Sequence, residues 1–211
     1  MGQFDSIIFD LDGTLVRTMP AHRYILVRKV LDKFHVHASD ETIDKFWYES
    51  HRNQIIISYF GIKPKPFWEL FRKHDTIELR KEFTKPYYDV GILNELKSKG
   101  IRMGVVTGAP NYIAECELNM IERENFGSII LANGSNGIMP KPNPHGIEEC
   151  LKKMGAKKNR TIVVGNSKED IEAAKSANVT DFFVDRKEYD FGQINPSFTI
   201  KTLYDLKNVF P

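Results

Sequence analysis

Near the start of the sequence stands the segment Ser6-Ile7-Ile8-Phe9-Asp10-Leu11-Asp12-Gly13-Thr14. Its first four residues form a short apolar run, which is typical of a strand buried on both faces. Two carboxylates, Asp10 and Asp12, follow, and residues two apart on an extended chain point the same way. Two such charges in one space are costly unless a cation joins them or they share a proton. The segment therefore predicts a buried strand with an acidic site at its carboxyl end.

Short apolar runs of this kind recur along the chain and alternate with segments of helical periodicity. The predicted strands are 6–9, 103–106, 128–131, 161–164, 182–184 and 198–200, and the predicted helices between them are 90–99, 111–120, 144–154, 168–177 and 201–209. This alternation indicates an α/β fold, a doubly wound and mostly parallel sheet with helices on both faces. In such sheets the functional site lies at the carboxyl ends of the strands.

One segment, residues 16–83, interrupts the alternation and contains only helical signals. Its helices are predicted to begin at Thr18 or Pro20, at Ser39 or Asp40, at Asn53 and at Pro66. We therefore expect an α/β core domain of residues 1–15 and 84–211 with an inserted helical bundle of residues 16–83. The insert holds 13 Lys and Arg against 9 Asp and Glu, a net charge of +4, which suits an anionic substrate.

Three further motifs follow predicted strands and therefore belong to the same edge of the sheet. Thr107 and Gly108 can donate hydrogen bonds to phosphate oxygens from a hydroxyl and a backbone amide. Lys141 lies between two prolines, and this restriction suits a point charge aimed at phosphate and carboxylates. The segment 165–170 offers oxygen ligands of the kind that magnesium prefers. Each motif is weak alone, but their order after separate strands indicates one site.

With these motifs in this order, the chain resembles the haloacid dehalogenase-like (HAD) hydrolase superfamily over essentially its whole length. It is similar to the phosphatase branch with a helical cap after the first strand, which includes phosphoglycolate phosphatase and β-phosphoglucomutase. The resemblance rests on residues 10–14 as the first motif, Thr107 as the second, Lys141 as the third and residues 165–170 as the fourth. It implies a Rossmann-like core and, in residues 16–83, a cap domain.

The resemblance also implies a reaction, the hydrolysis of a phosphomonoester of a small phosphorylated metabolite. Asp10 would attack phosphorus and form an aspartyl-phosphate. Asp12 would act as the general acid for the leaving group and then as the general base toward water. Thr107, Gly108 and Lys141 would bind the oxygens of the transferred phosphoryl group.

The implied cofactor is Mg²⁺, bound by Asp10, by the backbone carbonyl of Asp12, and by Asn166 and Asp170. Asn166 departs from the family pattern, in which an aspartate usually follows the glycine of the fourth motif. An asparagine keeps an oxygen ligand but removes one negative charge. Either Asp170, or second to it Glu169, binds more of the metal, or metal affinity and turnover fall.

Two other functions stay open. A phosphomutase of the β-phosphoglucomutase type would use the same two aspartates, Asp10 and Asp12. Some cap-bearing relatives place a histidine that assists proton transfer at the position of His22, so we expect His22 to bind substrate. The other alternative is a relative with low or no activity, and Asn166 favours it. Dehalogenase chemistry is disfavoured because similar dehalogenases lack the second aspartate.

The composition restricts the partners. The 211 residues carry 30 Lys and Arg against 28 Asp and Glu, a net charge of +2, so charge gives no indication of a nucleic-acid partner. No apolar run approaches the roughly 18 residues that span a bilayer, and no membrane partner is expected. Two cysteines, Cys116 and Cys150, are too few for a disulfide scaffold. We expect a cytoplasmic protein whose oligomeric state the sequence does not indicate.

Overall fold

The computed structural model describes residues 3–210. The chain divides into two compact units, one formed by Met1–Arg17 and Lys85–Pro211 and the other by Thr18–Thr84. In chain order the strands are β1 (Ser6–Phe9), β2 (Val16–Thr18), β3 (Thr84–Pro86), β4 (Arg102–Thr107), β5 (Ser128–Leu131), β6 (Thr161–Gly165), β7 (Thr180–Val184) and β8 (Phe198–Ile200). The helices are α1 (Pro20–Asp32), α2 (Asp40–Tyr48), α3 (Arg52–Phe60), α4 (Pro64–His74), α5 (Ile77–Phe83), α6 (Ile92–Ser98), α7 (Asn111–Leu118), α8 (His145–Met154) and α9 (Lys168–Ser176).

The first unit is built on a six-stranded sheet of order β5-β4-β1-β6-β7-β8. Each pair of neighbouring strands in this sheet is parallel. Both faces are covered, so side chains of β1 enter two cores in alternation. Ile7 and Phe9 belong to the same buried cluster as Leu93 of α6, and Ile8 belongs to the same cluster as Ile147 of α8. The predicted α/β fold is confirmed.

The strand order makes β1 the switch point of the sheet. The chain adds β4 and β5 on one side of β1 and then returns to add β6, β7 and β8 on the other. Open α/β sheets bind ligands at such a point, in the crevice outside the carboxyl ends of the strands. Phe9, Thr107 and Gly165 end the three central strands, so the sequence motifs that follow them meet at this crevice.

The second unit is a bundle of the five helices α1–α5. Phe46 and Phe67 lie at its centre, fully buried and with ring centroids 5.2 Å apart. Ser39 caps α2 by accepting a hydrogen bond from the Thr42 amide, as the sequence predicts. The predicted single helix from Pro66 toward residue 83 is wrong. It divides into α4 and α5 because the Thr76 hydroxyl accepts a hydrogen bond from the Leu79 amide and starts a new helix.

Two local features of the first unit also differ from the prediction. The expected helix 201–209 is a short 3₁₀ helix, Leu203–Asn208, whose start is capped by Asp205 through the amides of Lys201 and Thr202. The short strands β2 and β3, which pair with each other, were not predicted. They contain the two positions where the chain passes between the units.

The structure also bears on the membrane and disulfide predictions. Cys116 and Cys150 are buried and form no disulfide. Within residues 3–210, every helix is too short or too polar to cross a bilayer.

Candidate active site

Asp10 lies at the carboxyl end of β1, between β4 and β6. Its backbone amide donates to the Val164 carbonyl over 2.9 Å, which continues the register of the parallel sheet one residue past the end of β1. Only 8% of the residue is exposed. The central strands therefore hold this carboxylate in a fixed and nearly enclosed position.

Lys141 contacts two carboxylates at this edge. Its Nζ lies 2.5 Å from Asp10 Oδ1 and 2.5 Å from Asp170 Oδ1. The same ammonium donates to the Val106 carbonyl over 3.3 Å. An ammonium has three donors, and three acceptors surround it here. The sequence predicted Lys141 as a phosphate ligand, and the structure brings it to the predicted nucleophile.

The charges in this cluster shift one another's pKa. Burial, and then the charge of Asp170, raise the pKa of the Asp10 carboxyl above its ordinary value, although Lys141 opposes the shift. Burial alone would lower the pKa of Lys141, but the charges of Asp10 and Asp170 outweigh it and the net pKa is raised. Lys141 is therefore a permanent cation near neutral pH. Two carboxylates and one ammonium leave an excess of one negative charge when both carboxylates are ionised.

Asp170 contacts two residues, Lys141 and Ser167, in a way that the sequence did not predict. While its Oδ1 contacts Lys141, its Oδ2 accepts from the Ser167 hydroxyl over 2.6 Å and from the Ser167 amide over 3.0 Å. Ser167 in turn caps α9 by accepting from the Asp170 amide, which completes a capping box. Both carboxylate oxygens of Asp170 are thus held by protein groups, Oδ1 by Lys141 and Oδ2 by Ser167, and its metal contact stays a prediction.

Gly165 is the residue that permits this placement of Asp170. A Cβ built on Gly165 would overlap Cβ and Cγ of Asp170. We expect Gly165→Ala to lower the free energy of unfolding by about 2 kcal/mol, because overpacking displaces Asp170 from Ser167 and Lys141. Urea unfolding measures the change.

Gly91→Ala is the matched control for this substitution. Gly91 has no positive φ, and a Cβ there meets nothing within 4 Å, so its stability should stay within about 0.5 kcal/mol of the wild type. Equal stability of the two alanine variants would contradict the close approach at Gly165.

Thr14 connects Asp10 to Asn166. Its Oγ1 lies 3.1 Å from Asp10 Oδ2 and 3.3 Å from Asn166 Oδ1. Gly13 has a φ of +89°, and a Cβ there would overlap the Asn166 side chain. A glycine is therefore needed both for the turn and for the close approach. The amide oxygen of Asn166, a predicted metal ligand, thus lies within reach of the same hydroxyl as the Asp10 carboxylate.

The remaining predicted site residues of the first unit lie at the same edge. Thr107 ends β4, is 2% exposed, and accepts from the Ala109 amide over 3.1 Å. Gly108 follows it and is exposed. Asp12 is half-buried in the turn after β1, where its backbone bridges to Val16. Thr107 thus lies at the end of β4, and Gly108 and Asp12 lie on the loops that follow β4 and β1.

His22 lies inside the second unit, on α1, with no exposed surface. Its Nε2 is 3.2 Å from Asp75 Oδ1, and Asp75 also accepts from Arg80 Nε over 2.8 Å. The imidazole packs edge-on against Trp47 and Phe83. These contacts give His22 a packing role within the helices, and its predicted substrate contact stays a prediction.

Two residues of the site carried no assigned role in the sequence. Thr14 belongs to the segment quoted first, yet only the structure shows its hydroxyl between Asp10 and Asn166. Ser167 stands three residues before Asp170, which is the spacing of a capping box. That spacing is a local signal that could have identified the contact with Asp170.

The family model of haloacid dehalogenase-like hydrolases matches residues 7–184. The chain belongs to this family. This haloacid dehalogenase-like hydrolase is 26% identical over 214 aligned positions to the pyrophosphatase PpaX of Halalkalibacterium halodurans, covering 98% of this chain and 97% of the relative. It is 27% identical over 185 positions to the phosphoglycolate phosphatase of Aquifex aeolicus, covering 81% and 80% of the two chains.

Solved structures of the family share the fold of this haloacid dehalogenase-like hydrolase. The HAD phosphatase of Thermococcus onnurineus matches with a TM-score of 0.70 and 25% identity, covering 98% of each chain. A HAD family hydrolase of Deinococcus radiodurans, with bound phosphate and sodium, matches with a TM-score of 0.76 and 16% identity, covering 100% of this chain and 96% of that one. The predicted family is confirmed.

Proposed function

We propose that this protein is a magnesium-dependent phosphatase that hydrolyses a small phosphorylated metabolite through a phosphorylated Asp10. The observation that carries the proposal is the contact of one ammonium, Lys141, with both Asp10 and Asp170 at the carboxyl ends of the central strands. A carboxylate nucleophile beside a fixed cation suits phosphoryl transfer, which needs mainly positioning and neutralised charge. Relatives named phosphoglycolate phosphatase and pyrophosphatase PpaX support the same class of reaction.

The proposed reaction has two steps, transfer of the phosphoryl group to Asp10 and its hydrolysis by water. An Asp10 carboxylate oxygen attacks phosphorus, and the bond from phosphorus to the leaving oxygen breaks. Asp12 gives its proton to that oxygen and later removes a proton from the water that attacks the phosphorylated Asp10. Lys141 Nζ, the Thr107 hydroxyl and the Gly108 amide donate to the phosphoryl oxygens. The products are the dephosphorylated metabolite and inorganic phosphate.

The donor set at the site fits Mg²⁺. Asp10 and Asn166 present oxygens that both lie within hydrogen-bond reach of the Thr14 hydroxyl, and Mg²⁺ prefers oxygen ligands. Within residues 3–210 no three His, Cys, Asp or Glu side chains are grouped to hold a metal. Asp10, the backbone carbonyl of Asp12, and the side-chain oxygens of Asn166 and Asp170 would hold the metal. When bound, the metal would neutralise charge between Asp10 and the substrate phosphate.

The substrate is the part of the proposal that the core residues leave open. The helical unit is the proposed cap, and the +4 charge of residues 16–83 suits an anionic substrate. Names of the relatives indicate two candidates, phosphomonoesters such as phosphoglycolate and inorganic pyrophosphate. Both present a phosphoryl group that the same residues would bind.

The experiment that tests the proposal is phosphate release from a panel of phosphomonoesters and pyrophosphate, with magnesium and with EDTA. We expect magnesium-dependent release from at least one member. Sugar phosphates are also examined for isomer conversion, because conversion without phosphate release would indicate a phosphomutase. No turnover of any member by the folded, metal-loaded protein would indicate a non-catalytic relative.

Asn166→Asp tests the proposed metal site without measuring activity. The added carboxylate should tighten Mg²⁺ binding by about tenfold, because it restores a negative charge next to Asp10. Without metal the same charge should lower the melting temperature through repulsion. Isothermal titration and thermal unfolding with and without Mg²⁺ measure both effects.

Asn208→Asp provides the control, because Asn208 is exposed on the C-terminal 3₁₀ helix. Its Mg²⁺ affinity should equal that of the wild type. An unchanged or weaker affinity in Asn166→Asp would count against Asn166 as a metal ligand.

A further inference from the structure

A buried ion pair joins two loops of the first unit. Arg186 Nη1 lies 2.7 Å from Asp89 Oδ2, and Nη2 lies 3.1 Å from Asp89 Oδ1. The side chains are 5% and 0% exposed. Asp89 also accepts from the Leu203 amide over 2.8 Å. The guanidinium is therefore fixed in place by a carboxylate that is itself held by the backbone.

The same guanidinium contacts the turn that follows β1. Arg186 Nη2 donates to the Thr14 carbonyl over 2.6 Å. The face of the guanidinium lies 3.7 Å from the centroid of the Tyr87 ring. Among residues 3–210, Arg186 Nε has no hydrogen-bond partner. The two Nη groups and the ring therefore set the orientation of this side chain.

The turn that Arg186 contacts carries the proposed chemistry. The Thr14 carbonyl accepts a hydrogen bond from Arg186, and the Thr14 hydroxyl lies within hydrogen-bond distance of Asp10 and Asn166. Asp12 precedes it by two residues. A chain of direct contacts thus runs from Asp89 through Arg186 and Thr14 to the proposed nucleophile.

Further contacts attach this turn to the same two loops. The Leu15 carbonyl accepts from the Tyr87 amide over 3.0 Å. Arg17 Nε lies 2.9 Å from Glu188 Oε1, and the Tyr87 hydroxyl donates to the same oxygen over 2.9 Å. Segments 87–89 and 186–188 therefore hold the turn at Thr14, Leu15 and Arg17.

We propose that Arg186, fixed by Asp89, is a positioning residue that sets the turn bearing Asp12 and Thr14 for phosphoryl transfer. The inference rests on the proposed function. Removing Arg186 alone would leave Asp89 buried without its cation, which lowers stability. The contact with Thr14 adds a separate effect, because a displacement of about 1 Å at reacting groups can cost about 100-fold in rate.

Two substitutions at Arg186 separate positioning from stability. Arg186→Met removes the cation, and Arg186→Lys keeps it beside Asp89 but offers a single ammonium in place of the fork that reaches both Asp89 and Thr14. We expect kcat to fall about 100-fold in both variants, with KM within about threefold of the wild type. The lysine variant should recover most of the melting temperature but little of kcat.

A second readout does not depend on activity. The amides of Thr14, Leu15 and Val16 all donate to the Leu11 carbonyl, so their hydrogen exchange reports on the turn. Both variants should exchange these amides about tenfold faster while the amides of β6 stay unchanged. Arg160→Met is the control, because Arg160 pairs with Asp5 at the other end of the sheet, with 2.7 Å between Nε and Oδ2. It should change neither kcat nor exchange in the turn.

The outcomes distinguish this inference from the proposed function. If the wild type is active and both Arg186 variants keep kcat within about twofold, or change KM alone, the inference is overturned. Recovery of kcat by lysine in step with the melting temperature also overturns it, since that indicates a structural role alone. If the wild type releases no phosphate, the proposed function fails. Hydrogen exchange of the turn amides then tests whether Arg186 positions the turn. Unchanged exchange in both Arg186 variants rejects that role.

Discussion

Asp10→Asn should reduce phosphate release by about 10⁴-fold or more, because a neutral amide lacks the nucleophilic oxygen that the proposed reaction requires. The variant should fold. Asn has nearly the size of Asp. Its amide oxygen can accept from Lys141 and its NH2 group can donate to the Thr14 hydroxyl, the two groups that contact Asp10 in the wild type. Initial rates of phosphate release, with circular dichroism on the same samples, measure the loss.

Asp5→Asn is the matched control for this loss. Asp5 immediately precedes β1 and pairs with Arg102 and Arg160 at the amino end of the sheet. The same chemical change there should leave the rate within about twofold of the wild type. Retained activity in Asp10→Asn would reject Asp10 as the nucleophile, whereas equal losses in both variants would indicate a general effect of the substitution on the fold.

Lys141→Met should lower both activity and stability. The side chain is 11% exposed and lies against two carboxylates that are 10% and 3% exposed. Removing the cation leaves Asp10 and Asp170 buried without it, and breaking a buried pair in this way costs about 3 kcal/mol of unfolding free energy. Phosphate release should fall about 10³-fold, because a donor to the transferred phosphoryl group is lost.

Urea unfolding and initial rates measure the two effects of Lys141→Met. Lys168→Met is the control, since Lys168 is 52% exposed and pairs only loosely with Glu172, at 3.7 Å. Its unfolding free energy should stay within about 0.5 kcal/mol of the wild type. A Lys141 variant as stable and active as this control would show that the two short contacts contribute neither to folding nor to the reaction.

The sheet and part of the site were predictable because their signals are local. Buried parallel strands are short apolar runs, so β1 and β6 could be recognised from their own residues. Asp10 was predicted because it directly follows such a run. The order of strands then brings Lys141 to Asp10, although the two are 131 residues apart in sequence.

Other features depend on contacts that have no local pattern. Asp89 and Arg186 are 97 residues apart, and neither stands in a motif, so their pair and its contact with Thr14 appear only in the folded chain. His22 matched a family position, but its burial against Asp75 depends on how α1 packs with the segment after α4. Helix packing of this kind is set by tertiary contacts that periodicity does not describe.

Phosphorylation of Asp10 during turnover can be detected directly. The protein is mixed with magnesium and p-nitrophenyl phosphate, whose leaving group needs no proton, and quenched within milliseconds for peptide mass spectrometry. We expect a phosphorylated peptide containing Asp10, present in larger amount in Asp12→Asn because the base that activates water is removed. Two results would contradict Asp10 as the nucleophile, provided that the wild type releases phosphate. One is a phosphoryl group found on another residue, and the other is the absence of phosphorylated Asp10 from both proteins at every quench time.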